Sequence, residues 1–120
     1  SLSGIAIGQS KESVVKALGK PSSIRKRSDF QDLEFKYPKL TVFFAEEQVI
    51  ELFTNSPSVC TPAKICPLNS LSAARKIYGK PIYTKRTNGN FYEYPTSNAC
   101  WLQLAVSRKI IRTIRVACHP

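Results

Sequence analysis

The sequence predicts an α+β fold in which two tandem units, each a helix followed by a three-stranded meander, form one antiparallel sheet with both helices on one face. Three observations predict it. The chain repeats itself: Ser10, Val14, Leu18, Gly19, Lys20 and Pro21 recur sixty positions later as Ser70, Ala74, Tyr78, Gly79, Lys80 and Pro81. The segments after each helix recur in the same order. Phe35-Lys36-Tyr37-Pro38 answers to Tyr92-Glu93-Tyr94-Pro95, Val42-Phe43-Phe44 to Leu102-Gln103-Leu104, and Val49-Ile50-Glu51-Leu52-Phe53 to Ile110-Ile111-Arg112-Thr113-Ile114. The offsets run 60, 57, 60 and 61, a drift that loop-length changes account for. Finally, a unit of about 50 residues buries too little surface to be stable alone, so the two are expected to share a core.

Taken in order, Gly4-Ile5-Ala6-Ile7-Gly8 supplies apolar residues to anchor the entry to the first helix. Ser10 is a plausible N-cap, Glu12 complements the first turn, and Val14, Val15 and Leu18 form an apolar stripe at helical spacing. Gly19 followed by Pro21 stops the helix. Leu33, Phe35 and Tyr37 then alternate with Glu34 and Lys36, which is strand spacing, and Leu40–Ala45 and Gln48–Thr54 complete the meander around the turn acids Glu46 and Glu47. Pro57, Pro62 and Pro67 break regular structure, so the units are expected at residues 1–56 and 68–120, with a linker at 57–67. The second helix is capped by Asn69 or Ser70, turns Leu71, Ala74, Ile77 and Tyr78 inward, and stops at Gly79 and Pro81. Strands follow at Phe91–Tyr94, Trp101–Val106 and Lys109–Ala117.

The 18 basic and 8 acidic residues give a net charge of +10, unevenly spread. Residues 1–60 hold 8 Lys/Arg and 7 Asp/Glu, for +1, while residues 61–120 hold 10 Lys/Arg and the single acid Glu93, for +9. Solubility alone is one reading of such a field; attraction of an anionic partner is the other. The clusters Lys85-Arg86 and Arg108-Lys109, with Arg112 and Arg115, fall on a hairpin and a terminal strand, whereas Lys76 and Lys80 decorate a helix. No stretch approaches the length of a membrane span.

Four cysteines, Cys60, Cys66, Cys100 and Cys118, fit two disulfides in an oxidising compartment better than a zinc ribbon, whose paired short spacings are missing. Of three pairings, Cys60–Cys66 with Cys100–Cys118 is favoured: the first staples the linker and the second joins neighbouring strands. Met is absent, even from position 1, so the chain is expected to be processed or trimmed; a removed signal peptide would explain both this and the cysteines, with an exported product that is periplasmic, envelope-attached or secreted.

Catalytic chemistry is not expected. His119 stands near the terminus without a companion, no paired carboxylates recur because Glu51 is answered by Arg112, and Gly4-x3-Gly8 lacks the Lys-Ser/Thr of a phosphate loop. No catalytic residue, metal or cofactor is assigned. An open sheet face remains as the functional surface, with Tyr37, Tyr92, Tyr94 and Trp101 as aromatics that either line it or fill the core.

The pattern Ile5-x2-Gly8-x-Ser10-x3-Val14-x3-Leu18-Gly19-x-Pro21, followed by short strands, resembles the opening of the outer-membrane assembly lipoproteins known as SmpA/OmlA or BamE. Two such units in tandem resemble the β-lactamase inhibitor protein (BLIP) family. That resemblance implies a non-enzymatic envelope or secreted module that binds a macromolecule through its sheet; the family's disulfides lie inside each unit, whereas Cys60 and Cys66 here lie in the linker. The expected partner is a protein, met by Tyr92, Tyr94, Trp101, Lys85, Arg86, Arg108, Arg112 and Arg115. The alternative is an anionic polymer or membrane surface, such as nucleic acid, anionic lipid or acidic polysaccharide, held by the basic second unit. No small-molecule substrate is expected.

Overall fold

A computed structural model describes residues 1–96 and 99–118 of the chain. In order it contains α1 (Lys11–Leu18), β1 (Ser23–Lys26), β2 (Leu33–Lys36), β3 (Thr41–Ala45), β4 (Gln48–Thr54), α2 (Leu71–Tyr78), β5 (Ile82–Arg86), β6 (Gly89–Pro95), β7 (Cys100–Ser107) and β8 (Ile110–Cys118). The strands form one antiparallel sheet in the order β1-β2-β3-β4-β8-β7-β6-β5.

This architecture corrects the expected helix-plus-three-strand arrangement. Each half contributes four strands, and two eight-residue helices beside eight strands leave the fold dominated by its sheet. The strands that sequence reading missed are the edges, β1 and β5. All four residues of β1 are exposed, as are all but Thr84 in β5, so neither carries the alternation of a half-buried strand. Charge on an edge strand discourages pairing with another chain, and it also hides the strand from a pattern search.

Both helices are short because they are punctuated at both ends. The hydroxyl of Ser10 accepts from Ser13 N, that of Ser70 from Ala73 N, and Gly19 and Gly79 stop the helices at φ 80° and 90°. Each buries one residue fully, Val14 and Ala74; Val15 and Ile77, expected to face inward, are 40% and 51% exposed. A two-turn helix touches the sheet along a narrow line, so its flanking apolar residues stay in solvent.

Matching tyrosines tie each helix end to the sheet. Tyr37 donates its hydroxyl to the Gly19 carbonyl at 3.0 Å and Tyr94 to that of Gly79 at 2.8 Å. Burial raises both phenol pKa values, which keeps the donors protonated. Tyr94→Phe is expected to cost about 1 kcal/mol in urea denaturation, the net worth of one such bond, while leaving the core packing in place.

The halves join where β4 pairs with β8 through Glu51↔Ala117, Leu52↔Val116, Phe53↔Arg115 and Thr54↔Ile114. One apolar row, Phe35, Val42, Leu52, Val116, Leu102 and Tyr94, therefore crosses the sheet from β2 to β6 without a break. Leu2 and Ile5 seal it from the N-terminal side, and Val59 and Ile65 bring the linker into the same core. Cys60–Cys66 closes the linker loop, and Cys100–Cys118 bonds directly opposed residues of β7 and β8.

The backbone hydrogen bonds shift the match between the last strands by one residue. Gly8 N donates to Val49 O as Leu68 N donates to Ile111 O, so Val49 corresponds to Ile111. The pairing skips Ile50 in β4 and Arg112 in β8, each the extra residue of a β-bulge. Glu51 thus corresponds to Thr113, and Arg112 to Ile50.

Candidate functional site

The sheet face away from the core carries charge and aromatic rings in alternation. Its rows read Glu34, Phe43, Glu51, Ala117, Trp101, Pro95 and, one step along, Lys36, Thr41, Phe53, Arg115, Gln103, Glu93, Ile82. The arginines lie over the rings. Arg27 sits 5.6 Å from the centroid of Phe43, Arg115 is 4.6 Å from Phe53 and 5.9 Å from Phe43, and Arg86 is 5.0 Å from Trp101.

Carboxylates fix these guanidinium groups from the side. Arg27 donates to Glu34 at 2.9 Å and to Asp29 at 3.0 Å, Arg115 pairs with Glu51, and Gln31 donates to the other Glu51 oxygen at 2.8 Å. In the second half Arg86 grips Glu93 through two bonds, of 2.6 and 2.8 Å, and Gln103 adds a third at 2.8 Å. The Arg27 hydrogen bond holds the Asp29 carboxyl below its ordinary pKa. For Glu93 burial pushes the pKa up, but the bonds from Arg86 and Gln103 outweigh it and the net shift is down.

The face is also curled. With strands about 4.8 Å apart, a flat eight-stranded sheet would hold its two edges about 34 Å from each other. Instead, the β1–β2 loop at one edge and the β5–β6 turn at the other line a single open cleft of about 950 Å³. Arg27, Asp29 and Phe30 rim it on one side, Lys85, Arg86 and Thr87 on the other, with Phe43, Glu51 and Arg115 as its floor. Phe30 is half exposed at that rim. The lining holds four cations, Arg27, Lys85, Arg86 and Arg115, against three acids, Asp29, Glu34 and Glu51, so the cleft is nearly neutral although the second half is strongly basic.

The eight residues expected at the partner surface are split by the structure. Lys85, Arg86 and Arg115 line the cleft and Trp101 lies beneath Arg86. Tyr94 is buried in the core, as is Tyr37, and Tyr92 and Arg108 belong to a separate hollow on the helix-bearing side. Arg112, the exposed bulge residue, donates to Ser107 O at 3.3 Å. Sequence reading overlooked Arg27, Phe30, Phe43 and Glu51. The available signal was Val42-Phe43-Phe44, an apolar run that occupies both faces of a strand whose outer side would otherwise be polar. All four cysteines are in disulfides, and among the described residues no group of three His, Cys, Asp or Glu is placed to hold a metal. His119 lies outside the described residues.

Two disulfides mark an exported protein, since such bonds persist in oxidising compartments. No protein-family model matches the chain, and no curated protein matches it. Solved structures do. An extracellular protein containing an SCP domain from Bacillus anthracis has a TM-score of 0.74 at 17% identity, over 93% of this chain and 44% of that one. A cysteine-rich secretory protein from Staphylococcus aureus has a TM-score of 0.68 at 8% identity, again over 93% and 44%. A DUF4309 family protein from Bacillus subtilis has 0.68 at 13%, over 98% and 84%. The chain thus spans under half the length of the first two. At these identities the likeness is one of fold. It corrects the resemblance to BamE and BLIP: the fold is similar to that of the two SCP-type and cysteine-rich secretory proteins and the DUF4309 protein. The motif behind that resemblance reduces to a Ser N-cap and a Gly-x-Pro stop, which any short capped helix can carry.

Proposed function

We propose that the chain is a non-enzymatic binding module, secreted to the cell exterior, whose curled sheet face receives a protein. The observation that carries this reading is the cleft that both edge hairpins line, with arginines held over aromatic rings. Arginine and aromatic residues dominate the energetics of protein interfaces, particularly when neighbouring groups hold them rigid. The near balance of charge in the cleft favours a partner of mixed charge over a polyanion. Its carboxylates are engaged by arginines, an arrangement that fixes a surface and leaves no acid-base pair poised for proton transfer.

A photo-crosslinking residue at Phe30 tests this, with Ile24 on the outer edge as the control position. The expected result is one discrete protein captured from Phe30 and retained through about 0.5 M salt, where screening is severe. Arg115→Ala should abolish the capture. Equal capture from Ile24, or release of mixed acidic material at low salt, would sink the reading.

A further inference from the structure

On the helix-bearing side of the second half, Tyr83 and Tyr92 stand with ring centroids 5.0 Å apart and planes at 53°, and Tyr83 is 53% exposed. With Asn90, Leu71 and the Arg108–Lys109 turn they line an open hollow of about 410 Å³, large enough for a small sugar. The first half differs at the matching place. There Lys11 N donates to Glu47 O, as Leu71 N donates to Lys109 O, and the Lys11 ammonium pairs with Glu47 at 3.2 Å. In the second half the lysine is replaced by Leu71 and the two acids by Arg108 and Lys109, so a neutralised turn becomes a cationic one.

Nothing among the described residues balances that charge. Among the described residues neither Arg108 nor Lys109 makes an ion pair, and Glu93, the one acid in residues 61–120, is bound to Arg86 on the other face. The turn is also a strained place for these residues. Arg108 and Lys109 have φ of 54° and 65°, the left-handed pair of a two-residue hairpin that favours Asn-Gly, and each side chain there costs about 1 kcal/mol. In the first half the Lys11 and Asp32 side chains engage the equivalent turn; in the second, no side chain of the described residues makes an ion pair or hydrogen bond to Arg108 or Lys109.

We propose that this hollow binds an acidic saccharide. A sugar ring lies against the tyrosines, its hydroxyls meet Asn90 and the phenols, and its carboxylate or phosphate meets Arg108 and Lys109. Aromatic walls with a few polar groups suit a flat polyhydroxylated ring, and the unpaired cations select its acid. The site lies on the side of the sheet opposite the cleft, so it stands or falls independently of the protein-binding reading.

Titration of the oxidised full chain, followed by amide chemical shifts, tests it with digalacturonate, glucose 6-phosphate, cellobiose and inorganic phosphate. Shifts confined to residues around Tyr83, Asn90, Tyr92, Arg108 and Lys109 are expected with one or both acidic sugars, and which of them binds identifies the acid. Tyr83→Ala should weaken binding about tenfold or more, and so should the double variant Arg108→Asn, Lys109→Gly. The double variant installs the favoured turn pair, so its thermal stability should hold or rise while binding falls. Cellobiose or inorganic phosphate binding as tightly as the acidic sugars, unchanged binding by the double variant, or no shifts at about 1 mM of any probe would overturn the proposal.

Discussion

Arg86→Ala should destabilise the protein by about 3 kcal/mol, among the largest losses expected from any single surface-facing change. The Glu93 side chain is only 8% exposed and takes three hydrogen bonds, two of them from Arg86. Removing the guanidinium leaves a buried carboxylate with Gln103 as its main donor, and uncovers Trp101 as well. The figure sits at the low end for a broken buried pair because Arg86 is itself 36% exposed and water can partly replace it. Adding Glu93→Gln to Arg86→Ala should recover much of the loss, since the unpaired charge is then gone.

The same pair sets a pH signature. In the native protein the Glu93 carboxyl titrates below its ordinary value, so the pair's contribution is fully present above the unfolded carboxyl value of about 4.3 and is lost as pH falls through the folded one. Without Arg86 the largest of the lowering causes is gone, so the folded pKa moves up from its position in the parent. The variant then loses less stability on acidification than the parent, so the gap between them should narrow from pH 7 to pH 4. Urea midpoints at the two pH values measure this. A constant gap would place the loss in packing instead of charge.

Replacing Cys100 and Cys118 together by alanine should cost about 3 kcal/mol, against about 2 kcal/mol for Cys60 and Cys66. The two bonds close loops of 18 and 6 residues, and the longer loop restricts the unfolded chain more. Both losses act on the unfolded ensemble, so they should add when all four are replaced. Guanidinium denaturation of the two double variants gives the order directly. A larger loss at Cys60 and Cys66 would mean that this linker, with Val59 and Ile65 held in the core, needs its bond for native packing.

Much of the chain was legible because its signals are local. Ser10, Gly19, Ser70 and Gly79 act within a few residues of themselves, and each sets a helix end in the structure. Leu33–Lys36 and Thr41–Ala45 show strand spacing because the buried core lies against one side of them. The favoured cysteine pairing followed from a linker staple and a pair of neighbouring strands, and the structure contains it. The edge strands gave no such signal, since solvent on nearly every side removes the pattern.

The candidate site was half legible. Arg86, Trp101 and Arg115 were named from basic and aromatic clustering and lie at the cleft, while Tyr92 and Tyr94, whose facing the sequence leaves open between sheet surface and core, lie on the core side. Facing depends on parity counted along a strand. One bulge residue, such as Ile50 or Arg112, reverses parity for everything beyond it, and an alignment that ignores the bulge misplaces Glu51 as well.

By itself, then, the sequence determined the capped helices, the six inner strands, the uneven charge and the disulfide framework, because each is decided by residue types a short distance apart. Tertiary structure alone decided that β1 and β5 exist, which face each aromatic takes, and that Arg27 and Arg86 overlook one cleft. Those outcomes come from pairing with a distant partner and from the curl of the whole sheet, which brings together residues that nothing in the local sequence connects.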